Sequence, residues 1–382
     1  MKGHIRQRGK NSFELKFDAD RDPLTGKRKI AYHSFKGTKR QAQTKLAELI
    51  AGVSDGSYIT PDKITVVEFV RARIDQWQAS NAISARTAQR YRQLCEKQIA
   101  PHIGGKIVQK LRPLDVEEWH NVLRLKGSAK GTSISPRTIR HAHRVLSKAL
   151  NDAVRSEITG KNVCKVQQAP KVTDKDLVIV HDIPALLAKL ESEWLRVPAI
   201  IALVTGMRLG EIFALRWGRV DLDKKTIEVR EALEETKEHG IRFKTPKSAA
   251  GRRTVTLPEL AVDALRQHRR EQLELRLQLA AGKLLPDDLV FSGVQGDIQS
   301  PAYLSKAWSD LASRIGFAAV TFHALRHTHA SQLIDAGVDI VTISKRLGHA
   351  KPDITLRVYA HLFQNDDSKA ADAVNRAFKL GA

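Results

Sequence analysis

The chain has 382 residues, 42% of them hydrophobic, a net charge of +22 and two cysteines, Cys95 and Cys164. That length exceeds what one core serves, the apolar fraction argues against disorder, and two distant cysteines exclude a disulfide framework. The longest apolar stretch, VPAIIALVTGM, is too short to span a bilayer, and no hydrophobic run follows the charged start MKGHIRQRGK, so a soluble, cytoplasmic protein is expected.

The charge is unevenly placed. Residues 1–60 carry 13 Lys and Arg against 6 Asp and Glu, residues 61–172 carry 21 against 9, and residues 173–382 carry 30 against 27. A basic half joined to a nearly neutral half predicts one module that grips a polyanion and another with a different task. The basic half shows no convincing amphipathic membrane helix with exposed aromatics, so nucleic acid is favoured over a membrane.

In chain order, residues 12–36 alternate in character on either side of DPLTGK, which predicts a hairpin, and TKRQAQTKLAELIAGV predicts a helix from Thr38. Arg6, Arg8, Lys10, Lys27, Arg28 and Lys29 decorate this small sheet plus helix. It reads equally as a β-ribbon for a DNA groove or as a solvated surface hairpin. About 100 helical residues follow, with capping signals at Asp62, Ser84 and Ser135-Pro136. Arg86, Arg90, Arg137, Arg140, Arg144 and Lys148 recur at helical spacing, as phosphate contacts would, while Trp77, Tyr91 and Trp119 read as core. Beyond the linker VQQAPKVTDKD, IPALLAKLES and VPAIIALVTG predict helices. KTIEVREA and RRTVTL predict strands around a loop that contains Lys247, and DDLVFSG predicts a short strand near residue 290. The tail, with Ala371, Val374, Ala377 and Phe378 on one side, predicts a short amphipathic helix, whose apolar side packing on its own domain would bury.

Four segments of the neutral half stand out: TGMRLGEI, TPKSAAGRRTV, HALRHT and RLGHAKPDITLRVYAHLF. Singly each has a plain structural reading. Arg208 reads as an interior arginine paired with Glu211, Lys247 as an exposed hairpin lysine, and Tyr359 as a half-buried helix tyrosine. His323 and His327, four apart, have a spacing that zinc sites use, but HALRH lacks the acid of such a motif and no Asp/Glu/Cys cluster accompanies it, so no metal or other cofactor is expected.

Together, the ordered series Arg208, Lys247, His323-x-x-Arg326, His349 and Tyr359 resembles the tyrosine recombinases, in particular the phage-type integrases. The resemblance implies a multidomain, mainly α fold with small β-sheets: residues 1–58 as an arm-site DNA-binding sheet and helix, 63–166 as a helical core-site-binding bundle, and 175–382 as an α+β catalytic domain with its tail. It implies that Tyr359 attacks the scissile phosphate, leaving a 3′-phosphotyrosyl link and a free 5′-hydroxyl. Arg208 and Arg326 would clamp the nonbridging oxygens, His323 would serve as acid/base and His349 would donate to the phosphate. Lys247, with Lys244 as its runner-up, would protonate the leaving oxygen. Glu211 would orient the site, His327 would support it from behind, and His329 has no assigned role. Four protomers would act through a Holliday junction to integrate or excise a prophage or similar element in a bacterial cell, with DNA-bending and directionality proteins as candidate partners. The alternatives are a related recombinase for dimer resolution or inversion, a type IB topoisomerase, and a non-catalytic DNA-binding regulator.

Overall fold

The computed structural model describes residues 3–21, 28–55, 58–128, 131–173, 176–246 and 249–362, with four single positions beyond them. It is mainly helical with small antiparallel sheets. The chain divides into two compact units, Met1–Asp174 and Lys175–Ala382. No helix among the described residues is long and apolar enough to cross a membrane.

The first unit begins with an antiparallel sheet of β1 (Gly3–Gly9), β2 (Ser12–Arg21) and β3 (Arg28–Lys36), with β2 in the middle. Alternation along β2 sends Phe13, Leu15 and Phe17 to one face. There they are buried with Ala42 and Leu46 of α1 (Lys39–Ser54), which Thr38 and Gln41 cap reciprocally. A helical bundle follows: α2 (Val66–Ala79), α3 (Ala85–Leu94), α4 (Pro113–Lys126), α5 (Pro136–Arg155) and α6 (Val163–Val166), with a π turn at Cys95–Ile99. Its core gathers Phe69, Ile74, Trp77, Trp119, Leu146 and their neighbours. Ser84 and Ser135 cap α3 and α5 as expected. Asp62 does not cap α2. Its carboxylate accepts from the Ile64 amide, and Thr65 is the cap, paired reciprocally with Glu68.

The second unit holds α7 (Ile183–Lys189), α8 (Arg196–Thr205) and α9 (Leu209–Ile212), then the strands β4 (Val220–Asp221), β5 (Thr226–Val229), β6 (Ala232–Thr236), β7 (Gly240–Lys244) and β8 (Arg253–Thr256). Five helices complete it: α10 (Glu259–Gln278), α11 (Pro301–Arg314), α12 (Phe322–Asp335), α13 (Ile340–Leu347) and α14 (Pro352–Tyr359). The apolar α8 lies in the main core with Trp308, Phe322 and Leu325. Ala330, Ile334, Ile343, Leu347 and Tyr359 form a smaller cluster that fixes α13 and α14 against α12.

Two expectations about strands need correction. KTIEVREA and RRTVTL do pair, as β5 and β8 with Ile227 opposite Val255, but β6 and β7 form a separate hairpin between them. DDLVFSG forms no strand. It makes one bridge, Leu289 to Arg216, and is apolar because Val290 and Phe291 fill the core. The turn at 22–27, Lys247 and Ser248, and all but four positions of 363–382 lie outside the described residues, and so does most of the stretch expected to form the tail helix.

Candidate active site

Arg326 sits one turn into α12 and is 2% exposed. A buried guanidinium must place its protons on acceptors. Nη1 donates to the Gly206 carbonyl, and Nη2 donates to the Leu347 carbonyl at 2.8 Å and to Nε2 of His349 at 2.8 Å. Both carbonyls belong to helix ends that turn through left-handed glycines, Gly206 (φ +65°) after α8 and Gly348 (φ +69°) after α13. Burial, joined by the charge of Arg208, lowers the Arg326 pKa to about 9, which still leaves it cationic at neutral pH.

Arg208 caps α9 without burying its own side chain, which is 42% exposed. Its Nη1 donates to Glu211 Oε1 at 2.7 Å, and its backbone amide donates to Oε2 at 3.0 Å. Oε2 also accepts from Arg253 Nη2 at 2.9 Å. Burial alone would raise the Glu211 pKa, but the charges and hydrogen bonds of Arg253 and Arg208 outweigh it and hold the carboxyl at about 2. Arg253, on β8, also donates through Nε to the Arg346 carbonyl at 2.7 Å. Nothing in the sequence marks Arg253 for this place, because GRRTV looks like the charged start of a surface strand.

Tyr359 closes α14 and is 1% exposed, not half-buried. Its hydroxyl lies 2.8 Å from Nδ1 of His327, with the two rings edge to face. Burial pushes the phenol up to about 12, against the opposing charges of Arg326 and Arg208. His323, on the first turn of α12, is exposed, and its ring meets His327 edge to face at 4.6 Å between centroids. Surrounding protein atoms, then the charges of His327, Arg326 and Arg208, push His323 down to about 4. The tyrosine is thus held by His327 and not by His323.

His349 follows Gly348. Arg326 can only donate, so Nε2 of His349 accepts and its proton lies on Nδ1, 2.7 Å from Thr355 Oγ1. Burial and the charges of Arg326, Arg208 and Arg253 lower this histidine to about 4. His329 is 5% exposed. Its Nδ1 donates to the Leu203 carbonyl at 2.8 Å and its Nε2 accepts from Arg346 Nε at 3.1 Å, so it fastens α12 to α8 and α13. Lys247 lies outside the described residues, while Lys244 on β7 is engaged with Glu234 at 2.6 Å.

The fold therefore brings Arg208, Glu211, His323, Arg326, His349 and Tyr359 into one electrostatic neighbourhood, with His327 and Arg253 added. Two guanidiniums suit a tetrahedral anion, and a buried hydroxyl against a neutral imidazole suits nucleophilic attack on it. Among the described residues no group of three or more His, Cys, Asp or Glu is placed to hold a metal ion.

The basic candidates of the first unit form two sets. Arg6, Arg8, Lys10 and Arg28 are exposed on or beside the N-terminal sheet, Arg8 is paired with Glu14 at 2.8 Å and Arg28 with Asp18 at 2.6 Å, and Lys27 lies outside the described residues. In the bundle, Arg86, Arg90, Arg137 and Arg144 are exposed and Arg140 is half-buried. Arg144, Arg90, Arg140 and Arg137 converge on His141, which burial and their charges hold below the ordinary imidazole range. Lys148 instead stacks over Trp77 at 4.0 Å.

Residues 178–366 match the family model described as phage integrase family, and residues 73–124 match the phage integrase N-terminal SAM-like domain. An integrase of Streptomyces ambofaciens is 29% identical over 94% of this chain and 92% of its own length. The integrase of transposon Tn1549, solved with circular intermediate DNA, superposes with a TM-score of 0.68 at 19% identity over 82% of this chain and 99% of that one. The lambda integrase tetramer on a Holliday junction gives a TM-score of 0.52 at 18% identity over 91% and 96%.

Proposed function

The chain belongs to the phage integrase family of tyrosine recombinases, and we infer from that premise that it recombines two specific DNA sites by breaking and rejoining strands through a 3′-phosphotyrosyl intermediate. The observation that carries the catalytic assignment is the setting of Tyr359: a buried hydroxyl fixed to an imidazole, within reach of the charges of both Arg208 and Arg326. Breaking DNA without an energy source requires storing the phosphodiester energy in a covalent bond, and a tyrosine oxygen serves as nucleophile and later as leaving group.

In this reading Arg208 and Arg326 bind the nonbridging oxygens as negative charge grows on them, with the planar fork that lysine lacks. Arg326 reaches the phosphate from a pocket whose carbonyls already fix its plane, and Glu211 aligns Arg208. Lys247 protonates the departing 5′-oxygen. The ion pair between Lys244 and Glu234 favours that assignment over Lys244. His323 serves proton transfer at the open edge of the site, and His349 pairs with the phosphate side through Arg326. The basic face of α3 and α5 binds core-site DNA within residues 63–166, and residues 1–58 bind arm sites. Four protomers act on two sites through a Holliday junction, as the tetrameric lambda relative supports, with DNA-bending and directionality proteins as accessory partners. The substrate is the attachment DNA of a prophage or similar element in a bacterial cytoplasm.

The test is incubation with a nicked duplex carrying the core of an attachment site taken from the DNA bordering the element. The native protein is expected to leave a covalent complex that survives denaturant, undiminished in excess EDTA, and Tyr359→Phe none. A pure DNA-binding protein would bind without that complex, and a topoisomerase would relax supercoils without partner sites.

A further inference from the structure

We propose that His327 takes the proton directly from Tyr359 when the strand is cut and returns it when the strand is rejoined; this rests on the recombinase reading above. Nδ1 of His327 lies 2.8 Å from the Tyr359 hydroxyl and is its partner among the described residues. Tyr359 is 1% exposed, so bulk water has little access to its proton. His323 makes no hydrogen bond to the tyrosine. It stands one turn earlier on α12, exposed, with its ring edge to face with His327. That order, buried hydroxyl, half-buried imidazole, exposed imidazole, is a route from the nucleophile to solvent.

The step balances. The bond from Tyr359 Oη to phosphorus forms as the bond from phosphorus to O5′ breaks. The Oη proton passes to His327 Nδ1, giving an imidazolium, and O5′ takes its proton from the general acid assigned above to Lys247. On rejoining, the 5′-hydroxyl attacks phosphorus and returns its proton to that group, and Oη departs with the proton held by His327. The groups facing His327 are Tyr359, His323 and Arg326. Burial and the Arg326 charge hold its proton affinity below the ordinary imidazole value, which leaves Nδ1 open as an acceptor at neutral pH. A phosphate bound by Arg326 offsets that charge and lets the imidazolium form, so DNA itself enables the transfer.

The experiment measures single-turnover cleavage of the attachment-core duplex by the full chain, with oxygen or sulfur at the 5′-bridging position. A sulfur leaving group needs no proton, so it separates the two ends of the reaction. His327→Ala is expected to slow cleavage about 10²–10³-fold, with no rescue by sulfur and partial rescue by added imidazole. His327→Gln, which keeps a polar partner for Oη but takes no proton, is expected to be as slow. Both should still bind the duplex. A His327→Ala rate within about threefold of wild type, full activity in His327→Gln, or rescue by sulfur overturns the proposal. The wild-type protein supplies an independent reading: with the sulfur duplex its rate should still fall on the acid side as an imidazole titrates, and a flat profile overturns the proposal. A wild-type protein that forms no covalent complex overturns the recombinase reading itself, whereas a cleaving wild type with an unaffected His327→Ala overturns only this inference.

Discussion

Glu211 and Arg253 form a buried ion pair, 2.9 Å apart, in which each side chain is 6% exposed. The two residues lie 42 positions apart in sequence, and the pair ties the start of α9 to β8 behind Arg208. Removing one member of such a pair leaves the other charged and unpaired in a poor solvent. Glu211→Gln is therefore expected to destabilise the chain by about 3 kcal/mol and to slow cleavage, because Arg208 loses its anchor. Chemical denaturation of the full chain checks the first and covalent-complex formation the second. A Gln variant with unchanged stability would show that the pair is only neutral scaffolding.

Arg208 and Arg326 share a proposed role but differ in burial, and that difference separates their variants. Arg326→Lys forfeits the bonds to Gly206, Leu347 and His349 and leaves buried carbonyls unpaired. It should lose about 2–4 kcal/mol of stability as well as about 10²-fold or more in cleavage. Arg208→Lys sits at a half-open position with one carboxylate partner. It should lose a similar factor in cleavage with the melting temperature nearly unchanged. Equal thermal losses in both variants would contradict the geometry.

What was legible in the sequence was local. Arg208 with Glu211 and His323 with Arg326 lie within one helical turn or cap, so spacing places each pair together, whereas only the family resemblance joined them to His349 and Tyr359. What escaped was the relation between elements. His327 meets Tyr359 across 32 residues because the cluster of Ala330, Ile343 and Leu347 seats α14 against α12, and no periodicity encodes that packing. His329 looked spare because its partners, Leu203 and Arg346, lie on other helices. The β6–β7 hairpin escaped because EALEETKEHGIRFK is too charged to read as strand. It is seated by Leu233 in the main core with Ile241 and Phe243 against it, while Glu234 pairs across the strands with Arg242 and Lys244.

Gly206 offers a backbone test. Its left-handed φ of +65° already disfavours any side chain, and a Cβ would come within 2.6 Å of Leu347 and 2.7 Å of His329. Gly206→Ala should cost about 1–3 kcal/mol and should displace the carbonyl that receives Arg326. Cleavage should fall together with melting temperature, because the Gly206 carbonyl is what Arg326 Nη1 donates to. An alanine variant that melts normally would mean that the loop relaxes without disturbing Arg326.

Acid should loosen the second unit through His329. Burial and the charge of Arg346 hold this histidine at about 4 in the folded chain, against an ordinary value near 6.5. The unfolded chain therefore binds more protons between those two values, and stability must fall as pH drops through that window. Full stability is expected above about pH 6.5, with a loss on the order of 3 kcal/mol from this residue by about pH 4. His329→Asn keeps a donor for the Leu203 carbonyl but has nothing to titrate. It should be less stable than wild type at pH 7.5, because Arg346 loses an acceptor, yet its melting temperature should decline less steeply toward pH 5. Parallel declines in the two proteins would assign the acid sensitivity to other groups, with the half-buried His349, also held at about 4, as the next to substitute.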